Sequence, residues 1–301
     1  MAKDAAKLGP DAARTEFLLR VLDPARRLVI ADVGARKIST PPPYDELRAK
    51  NGCEVVGFEP NEAAFAVLHA EKSPNSTFYN VAVGEPGPAT FYNHPIGSIS
   101  SLFPISEKAA VFMAKFHWIN RPELEKIPLT LTALDDVEGL DHLDVLKIDI
   151  QGGELGAIRS GKKLLSEAVA IITEVAFHPV YEGAPQWRDV DALLVDMGFV
   201  LHKITTTHHA MVRNSQRKSF AHKAHQSQLI DGDAVYVRSA NALGELSDLQ
   251  LKHLALAADT MFQSFDLVIA CLDELVTRGA IPDGVPHRYF KKLPDALKAE
   301  A

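Results

Sequence analysis

Leu146-Lys147-Ile148-Asp149-Ile150-Gln151-Gly152-Gly153-Glu154 is an apolar run closing on a carboxylate, with two glycines and a second acid directly behind it. Such a run suits a strand buried on both faces of a parallel sheet, with a helix opening after Gly153. In an open α/β sheet, ligands bind in the crevice outside the carboxyl ends of the strands. A charge at that end, as Asp149 is, says more than a charge elsewhere.

Working outward, the same pattern recurs. Leu28-Val29-Ile30-Ala31-Asp32-Val33 closes on Gly34, and Val55-Val56-Gly57-Phe58-Glu59 is stopped by Pro60. Between them Pro41-Pro42-Pro43 imposes extended chain, so a helix begins only near Tyr44 and runs to about Lys50. Asn61 is placed to cap a helix through Ala70. Thr77 to Val81 predicts a third strand, Ala89 to Asn93 a short one, and Ile127 to Leu131 another. Downstream, Ala168 to Val175 is apolar and again ends in a carboxylate, Glu174. Trp187 to Met197 predicts a helix ended by Gly198, followed by a strand from Phe199 to Ile204. Residues 205–232 read as polar and irregular, and Ala234 to Val237 as the last strand.

Strands alternating with helical patterns over about 210 residues predict a mainly parallel, doubly wound α/β sheet. We therefore expect one domain over residues 1–238, with a helical lead-in at 11–22, and a helical C-terminal extension at 239–301. In that extension Met261, Phe262, Phe265, Val268, Ile269, Leu272 and Leu275 share one helix face, and Gly279 and Pro282 end the helix. The stripe is either a cap packed on the sheet or a surface for a homo-oligomer.

Composition narrows the class. Of 301 residues 47% are hydrophobic, enough for a sizeable core without staples. A net charge of −7 disfavours a nucleic-acid partner. Cys53 and Cys271 are too few for a disulfide framework, which favours a reducing compartment. No run reaches the roughly 18 apolar residues that span a bilayer, and the first ten residues hold no signal-peptide core. The expectation is a cytoplasmic protein with no membrane partner.

Three strand ends carry the chemistry: Asp32-Val33-Gly34, Glu59-Pro60-Asn61 and Asp149. Gly34 and Glu59 stand 25 positions apart, near the spacing at which a nucleoside-binding α/β fold sets an acid on the ribose hydroxyls. A carboxylate suits that task because it offers two acceptor oxygens to two donors. A dinucleotide needs a G-x-G-x-x-G turn, whereas this turn reads Gly34-Ala35-Arg36-Lys37-Ile38. That disfavours a nicotinamide cofactor. S-adenosylmethionine has no phosphate, needs acceptors for its ribose and ammonium, and carries a sulfonium that tolerates nearby acids. The acidic strand ends meet those needs.

Together, Asp32-Val33-Gly34-Ala35, Gly57-Phe58-Glu59-Pro60-Asn61 and the Leu146–Glu154 stretch resemble the FkbM-type S-adenosylmethionine-dependent methyltransferases. Leu134-Asp135-Asp136, Ser160-Gly161, Thr173-Glu174-Val175, Gly198-Phe199 and Asp233-Ala234-Val235-Tyr236 continue the match in order, over roughly residues 28–238. The resemblance implies a class I methyltransferase fold, Rossmann-like, with a seven-stranded, mainly parallel sheet whose last strand is antiparallel. It also implies methylation of an oxygen on a small molecule, sugar or glycan. Carried over, Asp32 and Gly34, with Ala35 in the same motif, line the methionine end of the cofactor. Glu59 holds the ribose with Asn61 beside it, Ala82 and Val83 border the adenine, and Asp149 sits where methyl group and acceptor meet. Gln151 stands where many relatives have Glu; its amide positions a ligand but takes no proton. Arg36, Lys37 and the triple proline replace the second glycine of the first turn.

Methyl transfer to a hydroxyl needs a base, and Asp149 and His178 are the candidates, His having the apter unperturbed pKa. The histidines at 202, 208, 209, 222 and 225 match no zinc spacing, so no metal is expected and residues 202–225 read as an acceptor loop. No G-x-S-x-G turn is present, which excludes a serine hydrolase of that type. The rival to the enzyme reading is a catalytically silent nucleoside- or S-adenosylmethionine-binding module.

Overall fold

The computed structural model describes residues 11–35, 41–220 and 225–299. Arg36, Lys37 and His222, singled out above, lie outside the described residues. The strands are β1 Leu28–Val33, β2 Cys53–Phe58, β3 Ser76–Tyr79, β4 Ala82–Val83, β5 Gly87–Asn93, β6 Glu125–Thr132, β7 Val145–Ile148, β8 Ala170–Ala176, β9 Phe199–Ala210 and β10 Gln228–Arg238. The helices are α1 Ala12–Leu22, α2 Asp45–Ala49, α3 Glu62–Ala70, α4 Glu107–Phe112, α5 Glu154–Ser160, α6 Lys162–Leu165, α7 Trp187–Asp196, α8 Asp248–Thr260, α9 Phe265–Thr277 and α10 Val285–Lys291.

Seven strands form one sheet in the order β3-β2-β1-β7-β8-β10-β9. β1, β2, β3, β7 and β8 run parallel, whereas β10 is antiparallel to both β8 and β9. The sheet class expected from the sequence is thus observed. The chain reverses outward after β3 and returns to pair β7 with β1, so the β1/β7 junction is the topological switch point where such sheets bind ligands.

Two expectations need correction. Residues 89–93 and 127–131 do form strands, but in a separate three-stranded sheet of order β4-β6-β5. Residues 205–232 are not irregular throughout, because β9 extends to Ala210 and β10 begins at Gln228. Thr205, Thr206, Thr207, His208 and His209 hid this: they belong to a sheet-edge ribbon whose polar side chains show no buried alternation.

Alternation along each strand splits the core into two faces. Ile30, Val55, Val145 and Val235 pack with Leu18 of α1 and with Leu254, Val268 and Leu272 of α8 and α9. Ala31, Leu146, Ile148, Ile171 and Tyr236 pack on the other side with Ile158 of α5 and Leu194 of α7. The apolar stripe of the C-terminal helices is therefore spent within the chain: Val268, Leu272 and Leu275 are fully buried.

A buried polar knot fastens those helices to the sheet. Arg26 grips Asp144 with two hydrogen bonds of 2.5 and 2.8 Å, the Val29 amide donates to Asp144 at 2.8 Å, and His253 Nδ1 of α8 lies 2.9 Å from it. Burial pushes the Asp144 pKa up, but its bonds from His253 and Arg26 win and hold it down at about 2.

Candidate functional site

Gly34 has a φ of +84°, and a Cβ there would collide with the Asp149 carbonyl oxygen. The glycine is thus required by the close approach of the first turn to the end of β7, quite apart from any ligand. The amides of Gly34 and Ala35 both donate to the Phe58 carbonyl at 3.1 Å, which clips this turn to β2.

Asp32 is held from within the protein. Its carboxylate is buried, accepts from the Tyr44 hydroxyl at 2.5 Å and pairs with Lys147 Nζ at 2.9 Å, so it braces β1, β7 and α2 from within. Burial would lower the Lys147 pKa, but the Asp32 carboxylate outweighs it and the net shift is upward. The sequence held a signal for this: a lysine inside a buried strand run needs an anionic partner, and the two residues are cross-strand neighbours.

Glu59 sits just past β2, buried at 6% exposure, and its Oε1 accepts from the Asn61 amide at 2.8 Å. Asn80 Nδ2 donates to the Glu59 carbonyl at 2.8 Å, fixing the backbone on the far side. Asn61 caps α3 as expected, its Oδ1 accepting from the Ala64 amide at 3.0 Å. Ala82 and Val83 line an apolar slot with Val33, Gly34, Phe58 and Phe91, between the large and small sheets. A carboxylate beside an apolar slot at the switch point fits a nucleoside, with acceptors for a ribose diol and apolar walls for a purine. Glu59, Ala82 and Val83 would hold it.

At the neighbouring strand ends the structure builds a second cluster. Gln151 has a φ of +58°, and its Nε2 donates to Asp149 Oδ1 at 3.1 Å and to Glu174 Oε2 at 2.7 Å. Tyr181 donates its hydroxyl to Gln151 Oε1 at 2.9 Å, and Ser101 donates to the Gln151 carbonyl at 2.5 Å. The amide orientation is thereby fixed with its nitrogen on the carboxylates. Glu154 is buried and holds the loop, accepting from the Ile150 amide at 2.9 Å and the Gly152 amide at 2.8 Å.

Burial, followed by the charge of Asp149, pushes Glu154 up to about 7 against the pull of those amides. Burial and the charges of Asp149, Glu154 and Asp231 push Glu174 well above the usual carboxylate range. Asp149 itself is exposed at the crevice. Glu174 joins Asp149 in this cluster through Gln151. Its place at the end of an adjacent strand was legible, but the amide link through Gln151 depends on a left-handed backbone that the sequence does not announce.

His178 makes a different contact. Its ring stacks on Phe112 at 4.9 Å, and burial alone lowers its pKa, with no carboxylate opposing. The other histidines disperse as well: His202 meets Ser264 at 2.8 Å, His208 meets Asp231 at 2.5 Å, and His225 stacks on Phe220. Among the described residues no three His, Cys, Asp or Glu side chains are grouped to hold a metal. No helix among them is long and apolar enough to cross a membrane.

The strand order, with β10 antiparallel beside β8, defines a class I methyltransferase fold. The model of the methyltransferase FkbM domain matches residues 32–201, more than half of the chain, and the protein belongs to that family of S-adenosylmethionine-dependent methyltransferases. No curated protein matches the chain. Solved structures similar to it include a precorrin-6y C5,15-methyltransferase from Geobacter metallireducens GS-15, at 14% identity and a TM-score of 0.34, over 78% of this chain and 93% of that one. An antibiotic-related methyltransferase is similar at 11% identity and a TM-score of 0.27, over 74% of this chain and 92% of its own. At such scores they add nothing to what the strand order shows.

Proposed function

We propose that this protein transfers the methyl group of S-adenosylmethionine to a hydroxyl oxygen on a small molecule, sugar or glycan. The observation that carries the reading is the Gln151 amide joining the Asp149 and Glu174 carboxylates at the crevice end beside Gly34. When bound, S-adenosylmethionine supplies a methyl group on a positively charged sulfur.

Glu59 would accept from the ribose, and the slot beside Ala82 would take the base. Asp149, exposed at the crevice, orients the acceptor hydroxyl. Glu174 would take the proton that the acceptor hydroxyl loses on methylation, while the methyl–sulfur bond breaks and the demethylated thioether leaves. Burial and neighbouring charges raise that carboxylate above its ordinary range, which suits it to hold a proton. Gln151 keeps both carboxylates in place without competing for the proton. Lys147 is drawn into its ion pair with Asp32, which keeps a cation from opposing the sulfonium. Alignment of the two reactants supplies most of the rate.

Calorimetry with S-adenosylmethionine and with its demethylated product tests the binding half. Mass spectrometry of metabolite and glycan extracts, searched for a gain of one methyl group, tests the transfer half. Absence of binding to either compound sinks the reading. Binding without turnover on any acceptor favours a silent nucleoside-binding module instead.

A further inference from the structure

Two segments lie side by side near the acceptor end of the crevice. Residues 111–121 carry Lys115 and Arg121, residues 211–220 carry Arg213, Arg217 and Lys218, and neither contains an Asp or Glu. On a chain of net charge −7 this is a local reversal of sign. The segments are fastened together: Arg217 donates to the Met211 carbonyl at 2.6 Å and to the Met113 carbonyl at 3.2 Å. The Arg213 guanidinium lies 5.7 Å from the centre of the Phe116 ring.

Among the cations, and interspersed with polar residues such as Asn214 and Gln216, stand three exposed apolar side chains. Phe116 is 52% exposed, Val212 43% and Phe220 41%. Beneath them Met113, Val180, Tyr181 and Ile230 form a small core of their own, and Tyr181 reaches from it to Gln151. Rim and acceptor end are therefore parts of one packed unit.

Exposed apolar side chains interleaved with cations match an anionic lipid surface, where the apolar groups enter the headgroup boundary and the cations meet lipid phosphates. A single-stranded nucleic acid wants free ring faces. Here Arg213 already stands over Phe116, His225 over Phe220, and Val212 offers no ring. We propose that this rim docks the protein on an anionic membrane surface, and that the acceptor hydroxyl is carried by an amphiphile presented there. The acceptor class rests on the transfer reading above; the docking does not.

The test sediments the full chain with vesicles of phosphatidylcholine alone and of phosphatidylcholine with phosphatidylglycerol. The protein should pellet with the anionic vesicles, stay in solution with the neutral ones, and be released as salt rises. R213E/K218E should weaken partition by about tenfold or more. F116S/F220S, which keeps the charge, should weaken it by roughly fivefold. Both variants should keep wild-type melting and S-adenosylmethionine affinity. Failure to bind either composition, equal binding to both, or unchanged partition of both variants overturns the proposal. So does displacement from the vesicles by a single-stranded RNA oligonucleotide bound more tightly than the lipid. S-adenosylmethionine is titrated without vesicles, so failure of docking and failure of the transfer reading are read separately.

Discussion

Gln151 donates its side-chain amide to Glu174 at 2.7 Å, and the same nitrogen reaches Asp149 at 3.1 Å. One neutral residue thus holds two carboxylates that would otherwise repel, and Tyr181 sets its orientation. Burial and the charges of Asp149, Glu154 and Asp231 raise the proton affinity of Glu174 at some cost to the fold, and the Gln151 amide offsets part of that rise.

Removing that charge should therefore separate activity from stability. Glu174→Gln is expected to lower methyl transfer by about 10²-fold or more, the usual contribution of a general base. Cofactor affinity should be little changed. At pH 8 the variant should melt no lower than wild type, because a half-buried, repelled carboxylate has gone. Steady-state kinetics and thermal unfolding on one preparation check both halves.

Gln151→Glu places a third carboxylate between the two. Its repulsion should lift Glu174 further. A carboxylate whose folded pKa exceeds its unfolded value stabilises the fold less as pH climbs through that interval. Glu154, raised from 4.5 to about 7, gives wild type the same tendency between those values. The variant should lose roughly 1–2 kcal/mol more than wild type between pH 5 and pH 8, read from urea unfolding at the two pH values.

Asp144 predicts the opposite limb. Its folded pKa of about 2 lies below the ordinary 3.8, so its contribution is complete above pH 3.8 and disappears as pH falls through 2. Asp144→Ala leaves Arg26 and His253 without their anion and should cost about 3–5 kcal/mol at neutral pH. The acid unfolding midpoint of wild type, set against the flatter profile of the variant, checks the assignment.

The ordered run of strands, the three acidic strand ends and the cap at Asn61 were all legible in the sequence, because each follows from local apolar pattern and cap chemistry. The partners of Asp32 were not legible, since a motif position does not tell that a carboxylate meets a buried lysine and a tyrosine. The end of β9 beyond Ile204 was missed for want of a buried face. The link from Gln151 to Glu174 spans 23 positions and passes through a left-handed residue, so no local pattern encodes it.

Gly34→Ala tests the switch point. The new Cβ meets both a positive φ and the Asp149 carbonyl, so the turn and Asp149 must move apart. A loss of about 2 kcal/mol or more of stability is expected, together with a fall in S-adenosylmethionine affinity, by thermal unfolding and calorimetry.

The most direct test of the account is calorimetric titration of S-adenosylmethionine into wild type and Glu59→Gln. The account predicts saturable one-to-one binding by wild type. It also predicts a loss of about tenfold to a hundredfold in the variant, as expected for hydrogen bonds to a charged acceptor, with the fold intact. Wild-type protein that gives no binding, or a variant that binds equally well, contradicts it.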